Sequence, residues 1–504
     1  MDKIAYPSCD LYLITTTLSL ITYLRLVVVG TIHLCRTKSW NISTVNTLCA
    51  AVLFISMNGS SAWFVAAEIP STQNAAENLE NVLQKITHFK SEVDCELHMD
   101  SNIYRYDDDA FQKAVNFVFD RKQFELQTTH TFFGDPCDEL KTKFAFLEQP
   151  LSKEEQDFPL AYTIIVHNSI IQAYFLLSAL YQPQNQFCIV IDDNADPTFK
   201  KQMFQLTSCF PNVFVMSAPR IDQCSFSALE ATYRCVQYLS NLQADWKYFQ
   251  YVTERDFPLK TNLELVRIFK QLNGSYNTAI HDLKFYPHQS RHPSPLPLWR
   301  SNAAVAFSRE AANLTASNQT VRKVIEYLRG VPCPQEAFWT TIAGNQDNLK
   351  MPGGFNASLW KEKLTGIWDA RQKNNTSRLI SKNVNYGLFE PDTYYIARFE
   401  VRDDYSYRKI ESRCLGKFVN GLCLFGVGDL MTLVNRPELM AHPFDLDFEP
   451  ASYFCLYERV RKRAFTAKED FNVDAYGRLP GPTLLAGVPF ESAPFVSLGG
   501  YMYR

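Results

Sequence analysis

The stretch WKYFQYVTERDFPLKTN, residues 246–262, ends an aromatic strand in a charged turn, and the rest of the chain can be placed relative to it. The turn contains Glu254 and Asp256. In an open α/β sheet, ligands bind outside the carboxyl ends of the strands, so these two side chains are candidates for contact with a substrate or a metal. An ordinary solvated turn before a helix cap at Thr261 or Asn262 explains the same residues equally well.

Three strand-and-helix units precede this stretch. Each joins an apolar run of strand length to a helical pattern. We predict strands at 160–166, 187–191 and 213–216, and helices at 170–180, 197–209 and 225–242. Residues 248–252 supply a fourth strand. Strands that alternate with helices predict an α/β fold with a mainly parallel sheet and right-handed crossovers.

Polar side chains follow the first two predicted strands. His167 follows the first, and Asp192 ends the second. The sequence contains neither GxGxxG after the first strand nor GxxxxGK[ST], so the dinucleotide and P-loop hypotheses lose their main support. His167 and Asp192 could still hold a nucleotide, because a carboxylate accepts hydrogen bonds from a uracil ring or a ribose hydroxyl. A capping or core histidine is the competing interpretation of His167.

Composition limits the class of protein. The 504 residues favour two domains, or one large domain with a stem, and 46% apolar content is enough for a sizeable core. A net charge of -3 provides no basic field for nucleic acid. The 14% aromatic content fits either a dense core or surfaces that stack on sugars.

The N-terminal region contains two mainly apolar segments, 11–35 and 44–67, each about as long as a membrane span. Arg25 interrupts the first segment, while Arg36 and Lys38 lie between the two. If the second segment is the anchor, the positive-inside rule keeps its N-terminal flank in the cytoplasm. This predicts a type II protein whose remaining chain is lumenal. Two spans or a cleaved signal are alternatives.

Glycosylation sequons and cysteines also favour a lumenal location. Sequons occur at Asn273, Asn313, Asn318, Asn356, Asn374 and Asn375. Three of the 13 cysteines lie in the apolar N-terminal region, which leaves ten, an even number typical of a disulfide framework in an oxidising compartment. Zinc binding is a weak alternative, because no CxxC spacing occurs.

The segment VPCPQEAFWTTI, residues 331–342, contains a candidate general base. Pro334 opens a helix, and Glu336 lies in its first turn beside Phe338 and Trp339. A Glu at this position can simply favour the helix dipole. Alternatively, aromatic neighbours desolvate the carboxylate and raise its pKa towards the range in which it can remove a hydroxyl proton.

Several blocks of the sequence occur in a recognisable order. They are PLAYTIIVH, FCIVIDDNA, SCFPNVFV, WKYFQYVTERDFPLKTNLELVR, CPQEAFWTTI, and CLFGVGDL followed by HPFDLDFEP. Together these blocks resemble the core-2/I-branching β-1,6-N-acetylglucosaminyltransferases, the family 14 glycosyltransferases. The resemblance covers roughly residues 158–462 and is closer to divergent nematode-type members than to the vertebrate mucin enzymes.

The resemblance implies a GT-A-like fold in a type II Golgi membrane protein. Such an enzyme transfers GlcNAc from UDP-GlcNAc to the 6-hydroxyl of a Gal or GalNAc on a glycoprotein glycan, with inversion and without a metal, although Mn²⁺ remains possible. It implies Glu336 as the base, His167 and Asp192 at the donor, and Asp256 on the substrate side or as a turn-fixing residue. The implied regions are a cytoplasmic tail and anchor at 1–67, a stem and start of the lumenal domain at 68–157, the transferase domain at 158–465 and an irregular tail at 466–504.

The sequence departs from the family where the diphosphate would bind. Asn420 and Pro443 stand where the resemblance implies an Arg and a Lys, and an uncompensated leaving group would lose a few kcal/mol of transition-state stabilisation. Arg402 stands about where the family has an acceptor-contacting Trp. A metal, or other basic groups, could compensate. These candidates are Lys417, Arg413, Arg436 and His442.

The family's disulfide pairing carries over to this chain. It implies the pairs Cys95–Cys455, Cys137–Cys209, Cys188–Cys235 and Cys414–Cys423. Cys224 and Cys333 are left over, either as a further pair or as free thiols. Two alternative functions stay open: a xylosyltransferase, or a catalytically weak or silent member that binds glycans in the secretory pathway.

Overall fold

A computed structural model describes most of the chain beyond residue 71. The described residues are 72–86, 89–100, 107–126, 135–221, 224–281, 293–375, 394–403, 414–466 and 471–493. All of them belong to one compact unit, Ile69–Arg504. The predicted anchor segments, 11–35 and 44–67, lie outside the described residues. None of the helices within the described ranges is long and apolar enough to cross a bilayer.

The strands are numbered in chain order. They are β1 (Leu160–Val166), β2 (Gln186–Asp192), β3 (Val213–Ala218), β4 (Tyr248–Thr253), β5 (Phe257–Pro258), β6 (Ala306–Ser308), β7 (Lys417–Val419), β8 (Leu422–Leu424) and β9 (Met440–Ala441). Five of them form the central sheet, in the order β3-β2-β1-β4-β6. The first four are parallel neighbours, and β6 is antiparallel to β4. The predicted α/β class with a mainly parallel sheet is confirmed.

Helices surround this sheet. Before β1 they are α1 (Thr72–Lys85), α2 (Phe89–Glu92), α3 (Cys95–Met99), α4 (Asp108–Val115), α5 (Pro136–Lys143) and α6 (Lys153–Gln156). Between β1 and α13 they are α7 (Ile170–Leu180), α8 (Pro197–Cys209), α9 (Phe226–Asn241), α10 (Asn262–Leu272), α11 (Arg309–Ser317), α12 (Gln319–Leu328) and α13 (Gln335–Ala343). The remainder are α14 (Ala357–Asn375), α15 (Leu430–Leu433), α16 (Pro450–Thr466), α17 (Asp474–Gly477) and α18 (Pro480–Leu485). Single 3-10 turns occur at Arg121–Phe124, Val427–Asp429 and Phe490–Ser492.

Strand β1 shows why apolar runs form the centre of the sheet. All seven of its residues are buried. Tyr162 and Ile164 pack into the apolar cluster on one face of the sheet, and Ala161 and Ile165 pack into the cluster on the other. Since successive side chains of a strand point to opposite faces, a strand covered on both sides favours apolar residues at nearly every position, and Thr163 is the exception in β1.

The segment before β1 packs on helix α16. The ring of Phe454 in α16 lies 5.9 Å from the ring of Phe89 and 4.7 Å from the ring of Phe119. A disulfide also joins Cys95 to Cys455 in α16. Residues far apart in the sequence therefore share one core on this face of the sheet.

Two stretches differ from the sequence prediction. The single pattern at 309–329 forms two helices, because Asn318 ends α11 and its side chain accepts hydrogen bonds from Thr320 N and Val321 N at the start of α12. The tail, which we expected to be irregular, forms α17 and α18 within its described part, and Tyr476 is fully buried there.

Five disulfides stabilise the described structure. Four are the pairs that the family resemblance implied, and the fifth joins the two cysteines that it left open. They are Cys95–Cys455, Cys137–Cys209, Cys188–Cys235, Cys414–Cys423 and Cys224–Cys333.

Candidate functional site

The carboxyl ends of β1, β2 and β4 lie along one edge of the sheet, because these strands are parallel neighbours. Ile165 near the end of β1 pairs with Thr253 at the end of β4. His167, Asp192 and Glu254 therefore lie at this edge, as the sequence predicted for an α/β protein.

Glu254 binds the loop that follows β1. It is 3% exposed, and its carboxylate accepts hydrogen bonds from His167 N at 2.9 Å, Asn168 N at 3.2 Å and Ser169 N at 3.3 Å. Burial raises the pKa of Glu254 above its ordinary value, although the His167 ring and these N–H groups act in the opposite direction. Since the N–H groups precede helix α7, Glu254 serves as an internal anion at a helix N-terminus.

The turn does not form a recognisable metal site in the described ranges. No group of three His, Cys, Asp or Glu side chains within them is arranged to hold a metal ion. Thr261 caps α10 in a capping box with Glu264, so the helix cap that we considered for this stretch is present.

Asp192 connects the ends of β2 and β3. Its Oδ1 accepts from Asn194 N at 2.7 Å, and its Oδ2 accepts from Ile221 N at 2.6 Å. These bonds fix the direction of the carboxylate. Because each carboxylate oxygen has two acceptor sites, Asp192 retains capacity for a ligand.

Asp256 lies inside the protein rather than on its surface. It is fully buried, and its Oδ1 lies 3.5 Å from Arg398 Nη1 and 3.1 Å from His442 Nδ1. Its Oδ2 accepts from Thr253 Oγ1 at 3.0 Å. Burial raises the pKa of Asp256, but the positive charge of Arg398, with His442, outweighs it and holds this pKa below its ordinary value. Asp256 therefore fixes the turn, which was one of its two predicted roles.

A continuous series of charged side chains connects Asp256 to Glu336. Glu400 Oε2 lies 3.4 Å from Arg398 Nη2, and Arg402 Nη2 lies 2.7 Å from Glu400 Oε1 and 3.7 Å from Glu336 Oε1. We call this series the ion-pair chain. Its members are Asp256, Arg398, Glu400, Arg402, Glu336 and Arg300.

Glu336 stands at the start of α13 with a guanidinium bound to its carboxylate. Arg300 donates to Glu336 Oε2 from both Nε at 3.2 Å and Nη2 at 3.1 Å. Ser301 donates to the backbone carbonyl of Glu336 from its N–H and, at 3.1 Å, from its hydroxyl. The Glu336 side chain retains 15% of its exposure.

The surroundings of Glu336 differ from our expectation. Phe338 and Trp339 were expected to desolvate the carboxylate, but both are buried in the apolar cluster on one face of the sheet. The carboxylate instead contacts Arg300 and Arg402, and a guanidinium stabilises the charged form of a carboxylate. Helical periodicity explains this for Phe338, because a residue two positions further along a helix projects to the other side. Trp339, three positions on, packs into the apolar cluster.

The predicted diphosphate-binding candidates have different environments. Lys417 is exposed on β7, whereas Arg413 lies outside the described residues. Arg436 is buried, and its Nε donates to Glu438 at 2.9 Å. His442 is largely buried, and burial together with Arg398 lowers its pKa below the ordinary value, which favours the neutral ring. His442 therefore lacks the positive charge expected of a diphosphate ligand, and Arg436 is neutralised by its partner.

Asn420 has a conformational reason for its position. Asn420 and Gly421 connect β7 to β8, and both have positive φ, 51° and 79°. Two-residue hairpins of this kind favour Asn-Gly, since Asn and Gly tolerate the left-handed region better than other residues. A longer cationic side chain at this position would be less compatible with the turn.

The sequence prediction missed a basic residue beside Pro443. Arg255 Nε donates to Phe444 O at 3.3 Å, and its Nη2 lies 3.3 Å from Asp445 Oδ2. The Arg255 side chain remains 35% exposed. The signal was present in the sequence, because Arg255 lies in the charged turn of the opening stretch.

The fold and this edge define an α/β protein whose candidate ligand site lies at the carboxyl ends of parallel strands. Residues 160–390 match the model of the family described as Branch: Core-2/I-Branching enzyme. A human β-1,3-galactosyl-O-glycosyl-glycoprotein β-1,6-N-acetylglucosaminyltransferase is 30% identical over 349 residues, 65% of this chain and 76% of the relative. A second human relative, β-1,3-galactosyl-O-glycosyl-glycoprotein β-1,6-N-acetylglucosaminyltransferase 3, is 26% identical over 427 residues, which are 80% of this chain and 90% of the relative. This chain belongs to the Core-2/I-branching enzyme family.

The family assignment supports a hexosaminyltransferase-like enzyme. Among solved structures, mouse xyloside xylosyltransferase 1 in its apo form aligns with 38% of this chain and 83% of its own, at 12% identity and a TM-score of 0.22. A TM-score this low does not establish a common fold.

Proposed function

We propose that this protein is an inverting glycosyltransferase that moves GlcNAc from UDP-GlcNAc to the 6-hydroxyl of a Gal or GalNAc on an O-glycan or a related glycan. The observation that carries the proposal is Glu336, a partly exposed carboxylate at the start of α13 that the ion-pair chain connects to the strand-end edge. Relatives named β-1,6-N-acetylglucosaminyltransferases support the donor and the linkage.

Glu336 acts as the general base in this proposal. It removes the proton of the acceptor 6-hydroxyl as the oxygen forms a bond to the anomeric carbon of GlcNAc. The bond from that carbon to UDP breaks on the opposite face, and UDP leaves with the electron pair. One carboxylate suffices, because the diphosphate is already a good leaving group, and the anomeric configuration inverts.

The donor lies at the carboxyl ends of β1 and β2 in the proposed complex. Asp192, whose carboxylate is oriented by two backbone N–H groups, accepts hydrogen bonds from the uracil or ribose, with the His167 ring beside it. Asp256 supports the turn from within. The structure favours Arg255 over His442 as a cation for the diphosphate, and Lys417 is exposed on the hairpin as a second candidate.

Transfer to a core-1 disaccharide tests the proposal most directly. The full-length protein is assayed with UDP-GlcNAc in EDTA or in Mn²⁺, and UDP-xylose is run in parallel. We expect transfer of GlcNAc in EDTA and a loss on the order of 10²- to 10⁴-fold in Glu336→Gln. Turnover unaffected by that substitution excludes Glu336 as the base. Strict dependence on Mn²⁺ would contradict the metal-free proposal. Preference for UDP-xylose would contradict UDP-GlcNAc as the donor.

The membrane location forms part of the proposal. A type II Golgi protein anchored near residues 44–67 would place the described residues in the lumen, and the five disulfides suit an oxidising compartment. Protease digestion of intact Golgi vesicles should leave the transferase region protected. Digestion of that region without detergent would contradict the type II orientation.

A catalytically weak or silent glycan-binding member is the second candidate function. Two observations favour it: Asn420 is part of the hairpin turn, and Pro443 stands where the family resemblance implies a Lys. In that case the protein binds UDP or a glycan but gives no transfer with any donor in the assay above.

A further inference from the structure

Arg300 and Ser301 fix Glu336 at two points. Arg300 binds one carboxylate oxygen with two N–H groups, and Ser301 binds the backbone carbonyl of the same residue. The preceding residue, Trp299, donates from its N–H to Thr341 Oγ1 at 2.9 Å, further along α13. Three consecutive residues are therefore attached to one helix, with Arg300 in the middle.

The other side of this segment is also held. His281 N donates to Arg300 O at 2.9 Å, and the His281 ring lies 2.9 Å from Asn302 Oδ1. An arginine whose backbone is bound on both sides loses little further freedom when its guanidinium binds a carboxylate. Such preorganisation is what a positioned catalytic group needs from its neighbours.

The two oxygens of Glu336 have different surroundings. Oε2 receives both hydrogen bonds from Arg300. Oε1 lies 3.7 Å from Arg402 Nη2, beyond hydrogen-bond distance, and Arg402 is itself held by Glu400 at 2.7 Å. The geometry thus separates an oxygen that is bound within the protein from one that can accept a proton.

We propose that Arg300 is a positioning residue for the proposed transfer reaction, holding Glu336 Oε2 so that Oε1 accepts the proton of the acceptor hydroxyl. This inference rests on the proposed function of Glu336 as the base. The O–H bond breaks, the proton goes to Oε1, and the hydroxyl oxygen uses the released pair for its bond to the anomeric carbon. The diphosphate leaves with the electrons of the broken bond.

The charged groups around Glu336 determine how its activity depends on pH. Arg300 and Arg402 face the carboxylate, Glu400 stands behind Arg402, and His281 lies beside Arg300. Burial lowers the pKa of His281, and both arginines act in the same direction. Arg300 and Arg402 are therefore the cations that face the Glu336 carboxylate.

The test compares three substitutions by full pH profiles of kcat and kcat/KM. Arg300→Gln keeps hydrogen-bonding capacity but removes the charge, and Arg300→Lys keeps the charge but removes the planar fork. We expect Arg300→Gln to lower kcat by about 10- to 100-fold and to move the acid limb of the profile up by about one pH unit. Arg300→Lys should keep the acid limb in place and recover part of kcat. Arg322→Gln, an exposed arginine on α12, is the matched control and should change neither.

The outcomes separate this inference from the proposed function. If Glu336→Gln is inactive while Arg300→Gln keeps both kcat and the acid limb, Arg300 has no positioning role and the base assignment stands. If Glu336→Gln is as active as the unaltered chain, or the unaltered chain gives no transfer, the proposed function fails and this inference fails with it. Thermal unfolding of each variant verifies the fold. A lower kcat with an unshifted acid limb in Arg300→Gln means a purely structural role and also contradicts the inference.

Discussion

Basic side chains are held differently in two regions that the proposed reaction places on opposite sides of the anomeric carbon. Around Glu336, Arg300 and Arg402 belong to the ion-pair chain, and Arg402 is held by Glu400. Around Asn420 and Pro443, the described chain offers a hairpin turn and a neutral His442 instead of the implied basic pair. The cations on that side are the exposed Lys417 and the partly exposed Arg255. The fixed arginines therefore lie at the base, and the more exposed cations lie at the leaving group.

The fold supports the two sides to different degrees. The base side is supported by the ion-pair chain, which is buried at Asp256 and Arg398 and partly exposed at Arg402. Because this chain extends back to the turn after β4, its geometry depends on the fold itself. The leaving-group side depends on Arg255, whose guanidinium is partly exposed and shared with Asp445. Substitutions on the base side should affect stability as well as activity, and those on the other side mainly activity.

Removal of Arg398 should have the largest effect on stability. Arg398→Met leaves Asp256 and Glu400 buried without their shared cation, which we expect to lower the free energy of unfolding by about 3–5 kcal/mol. Chemical denaturation at neutral pH measures the loss. The partly exposed pair of Arg267 with Glu154 provides the control, since Arg267→Met should cost about 0–1 kcal/mol.

The same variant should respond to acid in a defined direction. Burial raises the pKa of Asp256 and of Glu400, but Arg398 outweighs it and holds both below their ordinary values. Stability from such lowered carboxyl groups is present above their unfolded pKa and is lost as pH falls through the folded one. The difference between the unaltered chain and Arg398→Met should therefore shrink below about pH 4. A difference that stays constant in acid would contradict the charge-based explanation.

A buried lysine shortly after the turn that follows β4 gives a further prediction. Lys260 is 1% exposed and donates to Arg436 O at 2.7 Å, and burial lowers its pKa to about 7. Above that pH the unfolded chain binds a proton that the folded chain does not, so stability rises with pH. The advantage of the unaltered chain over Lys260→Met should grow by about 1.4 kcal/mol per pH unit between about pH 7 and about pH 9. Denaturation curves across this range measure it, and parallel curves for the two proteins would exclude the neutral lysine.

Much of the sheet could be predicted from sequence, because strands buried on both faces are continuously apolar. The predicted strand at 160–166 has the bounds of β1, and the other parallel strands differ by two residues or fewer at either end. The break at Asn318 was missed, since a capping side chain inside a long helical pattern resembles an ordinary polar residue.

The site was predictable only in part. Strand order brought His167, Asp192 and Glu254 to one edge, and a helix-opening pattern placed Glu336 at the start of α13. The partners of Glu336 were not predictable, because Arg300 and Arg402 come from distant segments with no local spacing to connect them. Asp256 was considered for substrate contact, but its carboxylate is buried against Arg398 and His442. These contacts could not be predicted, because both residues lie far from Asp256 in the sequence.

Arg255 provides a smaller test on the leaving-group side. If its guanidinium neutralises the diphosphate, Arg255→Gln should lower kcat on the order of 10- to 100-fold, with the free energy of unfolding little changed. Arg255→Lys should recover part of the loss, because it retains the charge. Steady-state kinetics measure kcat, and chemical denaturation measures the free energy of unfolding. Full activity in Arg255→Gln would return the role to Lys417 or to a metal.

The smallest expected effect concerns Asn420, where a substitution can add a cation to the leaving-group side. Asn420→Arg adds a cation where the resemblance implies one, but it places a long side chain at φ 51° in the hairpin turn. We expect a loss of about 1 kcal/mol in the free energy of unfolding, with an increase in kcat of up to about tenfold if leaving-group charge limits turnover. Asn420→Gly, which keeps the turn and adds no charge, is the matched control. An increase in kcat in Asn420→Arg but not in Asn420→Gly would mean that leaving-group charge limits turnover in this chain. An unchanged kcat in an otherwise active protein would mean that Arg255 or another group already neutralises the diphosphate.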